Sequence, residues 1–371
     1  MERRGRGQGS IFRRKDGRWV GAVTLPSGRR KFYYGASREE VRRRVNATIR
    51  DIDTGEFADS RAQRLGGFLD QWLEEVARPK VRHWTYVGYE VHIRVHIKPT
   101  LGRFKLDELR PIDVQRWMNA KQADGLSAKS VRYMRGTLRT ALNQAVRWGL
   151  ISRNAAALVD PPQGERREIN PLTPDEARAF LGAIRGDRLE ALYSVALSLG
   201  LRQGEALGLR WEDVDLDRGI LSIRKQLQRI NGAFQLVDLK TTRSRRSLAL
   251  PATVVVSMRQ HQARQAREGS GGAANMNLVF TSVAGTPLEG TTVSRQFHRH
   301  LDRAGLPQRR FHDLRHSCAT LLLAQGVSPR VVMEVLGHSD IGMTMNTYTH
   351  VIPELRRDAA NRMDDLLRER G

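Results

Sequence analysis

From about Leu65 to Val159 the apolar residues of this chain recur at three- and four-residue intervals, in LGGFLDQWLEEVA, TYVGYEVHIRVHI, RPIDVQRWMNAKQ and SAKSVRYMRGTLRTALNQAVRWGLI. Such a stripe lies along one side of a helix and scatters over both faces of a strand, so this stretch is confined to an independent bundle of about four helices. Breakers separate the helices at Pro79, at Pro99-Thr100-Leu101-Gly102, at Pro111 and at Gly125. The Pro-rich, charged run Asp160-Pro161-Pro162-Gln163-Gly164-Glu165-Arg166-Arg167 closes the bundle and marks a domain boundary, which bounds a helical domain at 64–160.

The patterns on either side are different. In GSIFRRKDGRWVGAVTLPSGRRKFYYGAS, aromatic and β-branched runs are broken by turn signals at Asp16-Gly17 and Pro26-Ser27-Gly28, which predicts three short strands. Ser37 and Glu40 then form a capping box for a helix with Val41, Val45 and Ile49 on one face and Gly55 as its stop. Residues 1–60 thus read as a small three-stranded sheet plus one helix. Arg13, Arg14, Lys15, Arg18, Arg29, Arg30 and Lys31 lie on or beside the strands, where a ribbon could enter a DNA groove; a solvated basic face is the alternative.

The segment 170–371 opens with Thr173 as N-cap, Pro174 in the first turn and Glu176 completing the box. Helices follow, interrupted by one β-rich island, GILSIRKQLQ, Asn231-Gly232 and AFQLVDLKTTRSRRSLALP, whose alternation indicates antiparallel strands. The loop EGSGGAANMN is the one low-complexity stretch and reads as a surface connection. The expected fold is multidomain and mainly α, with a mixed α+β third domain holding a small antiparallel sheet.

Charge narrows the partners. A chain of 371 residues with 40% hydrophobic residues has enough apolar content for two or three cores, which excludes a disordered basic tail. A net charge of +23 would repel itself in a compact fold unless a polyanion is the usual partner, and its spread along the chain favours nucleic acid over a membrane surface. No apolar run approaches the roughly 20 residues needed to span a bilayer, and MERRGRGQGS leads into no signal-peptide core, so a soluble, cytoplasmic protein is expected. The single cysteine, Cys318, can form neither an internal disulfide nor a cysteine-based zinc site, and its setting in SCATLLLAQG reads as a buried helix face. His92 and His96 have ligand-like spacing but no third ligand nearby, so no metal site is expected.

Taken singly, the polar residues of the third domain say little. Arg202 follows the Gly200 break in SVALSLGLRQGEALGLRWEDVDL, with Glu205 near enough to hold it. Lys240 ends a strand beside the basic turn TTRSRRS. In FHDLRHSCATLLL, His312 and Arg315 are three apart and face one way on a helix, as two groups converging on one phosphate would. His316 is four residues from His312, but Asp313-Leu314-Arg315 lacks the glutamate that a zinc hydrolase places directly after its first histidine. VLGHSDIGMTMNTYTHVIP carries His338 after a glycine break and Tyr348 on a short helix ended by Pro353.

Together, Arg202, Lys240, His312-Asp313-Leu314-Arg315, Leu336-Gly337-His338 and Tyr348 closely resemble, in order, the catalytic signature of the tyrosine recombinase family, also called the phage integrase family. The flanks GLRQGEALGLRWEDVD, LKTTRSRRSLALP and LGHSDIGMTMNTYTH are similar too, so the resemblance covers most of Leu172 to Pro353. Residues 1–60 resemble the arm-type DNA-binding domain of many integrases, and the helical domain resembles their core-site-binding domain.

The resemblance implies a site-specific recombinase that cuts and rejoins double-stranded DNA at core and arm attachment sites, without metal, ATP or other cofactor. Tyr348 would be the nucleophile. A phosphodiester repels nucleophiles, so preplaced cations are needed, and Arg202 and Arg315 can each offer a planar fork to the nonbridging oxygens. His312 is the candidate base for the tyrosine, whose ordinary pKa is about 10. The resemblance assigns Lys240 to protonate the leaving 5′-oxygen and His338 to hydrogen-bond the phosphate. It further implies a 3′-phosphotyrosyl link, four protomers at a synapse, a Holliday junction, a host DNA-bending protein and an excision factor. The tail PELRRDAANRMDDLLRERG is an amphipathic helix with Leu355, Ala359, Met363 and Leu366 on one side, either closing its own domain or docking on a neighbouring protomer. The alternatives are a dimer resolvase or transposon recombinase of the same class, and a noncatalytic basic DNA-binding regulator.

Overall fold

The structure, a computed structural model, describes residues 9–14, 16–25, 30–53, 63–164, 170–239, 241, 244–269, 276–337, 363, 364 and 367. The chain divides into two compact units, Met1–Arg166 and Arg167–Gly371.

The first unit begins with an antiparallel meander of β1 (Ser10–Arg13), β2 (Trp19–Thr24) and β3 (Arg30–Gly35), as the alternation predicted. The helix α1 (Arg38–Asp53) lies across one face. A Cβ on Gly21 would sit 2.5 Å from Val45 Cγ2 and 2.6 Å from Val41 Cγ1, so glycine there is what lets the helix approach the sheet. Val23, Val41 and Val45 are the buried centre of this small core. The predicted cap forms with one difference: Glu40 N donates to Ser37 Oγ (3.1 Å), but Glu40 Oε2 reaches back to Ala36 N (3.3 Å) instead of Ser37.

The bundle follows. Its first helix runs through α2 (Leu65–Gln71), a π-helical segment Trp72–Ala77 and α3 (Arg78–Lys80). The second runs through α4 (His83–Val91), a π-helical segment His92–Ile97 and α5 (Lys98–Leu101). Then come α6 (Pro111–Ala123) and α7 (Ala128–Arg147). Pro79 and Pro99, which the sequence places between helices, sit instead in the last turn of each long run. Proline cannot donate to the preceding turn and its ring collides with that turn's carbonyl, and the wider π-turn just before it relieves both problems. One carbonyl near the second π-turn, that of His96, accepts the indole Nε1–H of Trp117 (2.9 Å). Phe68, Trp72, Ile93, Ile97, Trp117 and Leu138 fill the core of the bundle.

The second unit starts with α8 (Pro174–Ala183), capped reciprocally: Glu176 N donates to Thr173 Oγ1 (3.2 Å) and Thr173 N to Glu176 Oε2 (2.9 Å). Next are α9 (Glu190–Leu199) and α10 (Gln203–Leu207). The island comprises β4 (Val214–Asp215), β5 (Ile220–Ile223), β6 (Lys225–Ile230), β7 (Ala233–Asp238) and β8 (Arg246–Ala249). β4, β5 and β8 form one antiparallel sheet and β6–β7 a separate hairpin. Asn231 (φ 52°) and Gly232 (φ 81°) make its turn, whose two positive φ values match the twist of the paired strands. The unit continues with α11 (Ala252–Arg267), α12 (Gly290–Arg303), α13 (Asp313–Ala324) and α14 (Pro329–Leu336). Its core packs around α9, where Tyr193 contacts the rings of Phe180, Phe297 and Phe311. Among the described residues no helix is long and apolar enough to cross a membrane.

Gly200 ends α9 in the left-handed conformation (φ 62°), turning the chain toward Arg202, and a Cβ there would run into Leu336 Cδ2. Gly200→Ala combines backbone strain with overpacking, each costing about 1–3 kcal/mol. The second unit should therefore be destabilised by roughly 2–6 kcal/mol in chemical denaturation; an unshifted midpoint would show that α9 and α14 do not meet at this glycine.

Candidate active site

Three chain segments converge at the end of α9. Gly200 O accepts a hydrogen bond from Arg315 Nη1 (2.8 Å), which draws α13 to the turn before Arg202. Arg202 donates from its backbone N to Glu205 Oε2 (3.2 Å) and from Nη1 to Glu205 Oε1 (2.6 Å). Glu205 is 2% exposed and also accepts from Arg246 Nη2 (3.1 Å). Burial alone would push the Glu205 carboxyl up; the charges and hydrogen bonds of Arg246 and Arg202 overrule it, so its pKa lies below the usual carboxylate range. The two predicted arginines differ in access. The Arg202 side chain is 38% exposed, whereas Arg315 is 2% exposed and forms the floor of the site.

His312 is the N-cap residue of α13 and keeps an open edge to solvent, with His316 edge-on at 5.1 Å between ring centroids. Neighbouring protein atoms still take part of its hydration. That loss of hydration, reinforced by the positive surroundings of His316, Arg315 and Arg202, lowers its pKa to about 4. At neutral pH His312 is therefore an uncharged imidazole with a nitrogen lone pair available. The loop before it is fixed from both sides. Arg309 donates from Nη2 to both carboxylate oxygens of Glu176 (2.9 Å each) and from Nε to Asn170 O (2.9 Å). Arg310 grips Asp313 with Nη2 on Oδ1 (2.7 Å) and Nε on Oδ2 (3.2 Å), and Ser317 Oγ accepts from Leu172 N (2.8 Å).

Of the six predicted catalytic residues, the structure brings Arg202, His312 and Arg315 together; Lys240, His338 and Tyr348 lie outside the described residues, as does the tail helix except Met363, Asp364 and Leu367. Cys318 is buried beside them, its thiol pushed up to about 12 by that burial, with Sγ on Ser198 O (3.4 Å). The supporting set of Glu176, Arg246, Arg309 and Arg310 was not singled out from the sequence as part of a site. One signal for Arg246 was available: in RSRRSLALP it shares strand parity with Leu248, which packs on the core.

In the first unit, strand alternation splits the predicted DNA-contacting cations. Arg30 projects away from α1 and donates from Nη2 to Ser10 Oγ (3.0 Å), sharing its face with the half-exposed rings of Phe12, Phe32 and Tyr34. Arg13 and Lys31 have the opposite parity; Arg13 Nε caps Gly17 O (3.1 Å), and Lys31 Nζ lies 5.5 Å from the Tyr33 ring. Arg14 and Arg18 flank the turn at Asp16, and Lys15 and Arg29 lie outside the described residues. The exposed aromatics were missed, although the spacing Arg30-x-Phe32-x-Tyr34 carries them. His92 Nδ1 pairs with Thr137 Oγ1 (2.8 Å).

Comparison with known proteins decides the family. The profile described as "Phage integrase family" matches residues 170–354, and "Phage integrase, N-terminal SAM-like domain" matches 65–122. A protein named "Tyrosine recombinase XerC-like" from Caldanaerobacter subterraneus subsp. tengcongensis is 32% identical over 95% of this chain and 97% of its own length. The chain belongs to the phage integrase family. This tyrosine recombinase breaks and rejoins DNA at specific sites by transesterification. An integrase of Streptomyces ambofaciens is 30% identical to it over 99% of this chain and 98% of that one. Among solved structures, the Tn1549 transposon integrase in complex with transposon right end DNA matches the recombinase fold with a TM-score of 0.70, at 24% identity over 81% of this chain and 100% of that one. A lambda integrase tetramer bound to a Holliday junction matches with a TM-score of 0.58, at 23% identity over 89% of this chain and 95% of that one.

The electrostatics predict how the recombinase responds to acid. His261, His300, His312 and His316 all have pKa values lowered from the ordinary 6.5, each chiefly by burial. The unfolded chain takes up protons that the folded one refuses, so their contribution is complete above about pH 6.5 and is lost as pH falls toward 4. The melting temperature of the second unit should drop steadily from about pH 7 to 5, and less steeply in His312→Asn. A flat profile over that range would show these histidines to be protonated in the fold.

Proposed function

We propose that this recombinase cleaves double-stranded DNA by attack of Tyr348 on a phosphodiester held by Arg202 and Arg315, leaving a 3′-phosphotyrosyl link and a free 5′-hydroxyl. What carries this reading is the meeting of Arg202, Arg315 and the uncharged His312 at one helix junction. In the attack the tyrosyl oxygen bonds to phosphorus, its proton passes to a base, and the bond to the 5′-oxygen breaks as that oxygen is protonated. His312 accepts the first proton and Lys240 supplies the second, while His338 hydrogen-bonds the phosphate. Arg202 is partly open to a ligand, whereas Arg315 lies buried beneath it. An incoming phosphate anion also offsets the positive field around His312, raising its basicity when it is needed. One ester replaces another, so a 5′-hydroxyl from the partner strand can reverse the step without ATP.

The DNA and the assembly follow from the same reading. Four protomers would exchange strand pairs through a Holliday junction, as the lambda integrase tetramer bound to one suggests. Residues 1–60 would take arm-type sites through the Arg30 face of the sheet, 64–160 would take the core site, and 170–371 would carry the chemistry. Integration and excision of a phage or mobile element in the bacterial cytoplasm is the expected setting, with a host DNA-bending protein and an excision factor as accessory partners. A cation-lined depression beside the hairpin, formed by Arg210, Arg224, Lys225 and Arg245, suits a DNA backbone.

Duplexes bound by the chain can be selected from a random pool and rebuilt as nicked suicide substrates. A covalent protein–DNA adduct resistant to denaturant, with Tyr348 as the modified residue, is expected, and none from Tyr348→Phe. Arg202→Lys should slow adduct formation by about a hundred- to a thousandfold, equivalent to roughly 2.7–4 kcal/mol of barrier. An adduct that persists in Tyr348→Phe would overturn the assignment. Removing residues 1–60 should abolish binding to arm-type sequences while sparing cleavage of a minimal core site; undiminished arm binding would reject that role for the sheet.

A further inference from the structure

Arg246 has no part in the chemistry above, yet its guanidinium is shared among three segments. Nε donates to Val335 O (2.6 Å), Nη1 to Ser244 O (3.0 Å) and Nη2 to Glu205 Oε2 (3.1 Å). Val335 lies in the last turn of α14, where carbonyls lack a helical partner and a cation is favoured. Ser244 lies in the connection between β7 and β8, the stretch of sequence that contains Lys240. Glu205 is the carboxylate that orients Arg202. The contact with α14 is close: Gly337 ends that helix at φ 65°, and a Cβ on it would lie 3.0 Å from Arg246 Nη1. Gly337 is also where the chain leaves α14 for His338 and Tyr348. The side chain is 7% exposed and Glu205 2%, so the pair is shielded from screening by solvent.

We propose that Arg246 is a positioning residue that couples the phosphate clamp, the Lys240 connection and the nucleophile-bearing segment, so that the three are set in one arrangement. The inference rests on the roles assigned above to Arg202, Lys240 and Tyr348. A planar guanidinium can serve three acceptors in fixed directions, whereas an ammonium on a flexible stem cannot hold all three in that geometry. A neutral side chain leaves Glu205 buried with Arg202 as its remaining cation, and Arg202 is then drawn toward the carboxylate and away from phosphate.

Arg246→Lys and Arg246→Met test this by single-turnover adduct formation at saturating DNA, by DNA binding, and by amide hydrogen exchange. Displacements of reacting groups by about 1 Å cost up to a hundredfold, so Arg246→Met should form adduct about ten- to a hundredfold more slowly, with its half-saturating DNA concentration changed less than about threefold. Arg246→Lys should fall between Met and the unsubstituted chain. In both variants amides of residues 329–337 should exchange faster while those of residues 190–199 stay protected. Unaltered adduct rates, a loss confined to DNA binding, or exchange that rises uniformly across the unit would each overturn the inference. Should Arg246→Met fail to fold, Arg246→Lys decides by the same three measurements. If the unsubstituted chain forms no adduct, the catalytic reading fails by itself, and the exchange data still report whether Arg246 ties α14 to the clamp.

Discussion

A carboxylate held between two guanidiniums underlies the catalytic unit. Removing the Glu205 charge from water costs several kcal/mol, which is recovered only because Arg202 and Arg246 both bind it and bring their hydrogen bonds. Arg202 is the N-cap of α10, and Arg246 is attached further through the end of α14 and the β7–β8 connection. A charge cluster of this kind contributes less to total stability than to selecting one arrangement, since any other leaves a buried ion short of partners. The parts of the unit that this cluster joins are far apart in sequence, so its geometry exists only in the folded chain.

The surroundings of His312 belong to the same design. Burial is the main reason its pKa lies near 4 in the unliganded protein, and the positive charges of Arg315 and Arg202 that reinforce it are those expected to attract a phosphate. Resting neutrality and anion affinity thus share the same arginines, with burial added to the first. In the proposed reaction, a base kept proton-free chiefly by burial would gain basicity as the substrate's negative charge arrives, which would link proton transfer to the presence of DNA.

Much of this architecture is visible in the linear sequence because its determinants are local. The Thr173-Glu176 box, the Asn231-Gly232 turn, the period of the helices and the Gly200 break each depend on residues a few positions apart. What is hidden depends on distant partners. Glu176 is legible as a cap, but its other face holds Arg309, 133 residues away. Arg246 sits in a run of arginines that reads as solvated until strand parity turns this one inward. Pro79 and Pro99 read as helix breaks because the compensating π-turn has no sequence marker. The aromatic face of the small sheet is hidden because Phe12, Phe32 and Tyr34 come together only when the strands pair, whereas the cations beside them cluster in the sequence itself. The order of the proposed catalytic residues, by contrast, points to the family as a whole when no member of it is telling alone.

The attachment of Arg315 to Gly200 O has a further meaning. Its acceptor is a main-chain carbonyl, so no substitution at position 200 can delete it by changing side-chain chemistry; it can be disturbed only by changing the path of the backbone. That path in turn depends on a residue able to adopt positive φ with no Cβ to press on Leu336. Tolerance to mutation around this arginine is therefore uneven. Neighbouring positions can drift in polarity without losing the acceptor, while the smallest side chain in the region is the one that sequence change can least afford to enlarge.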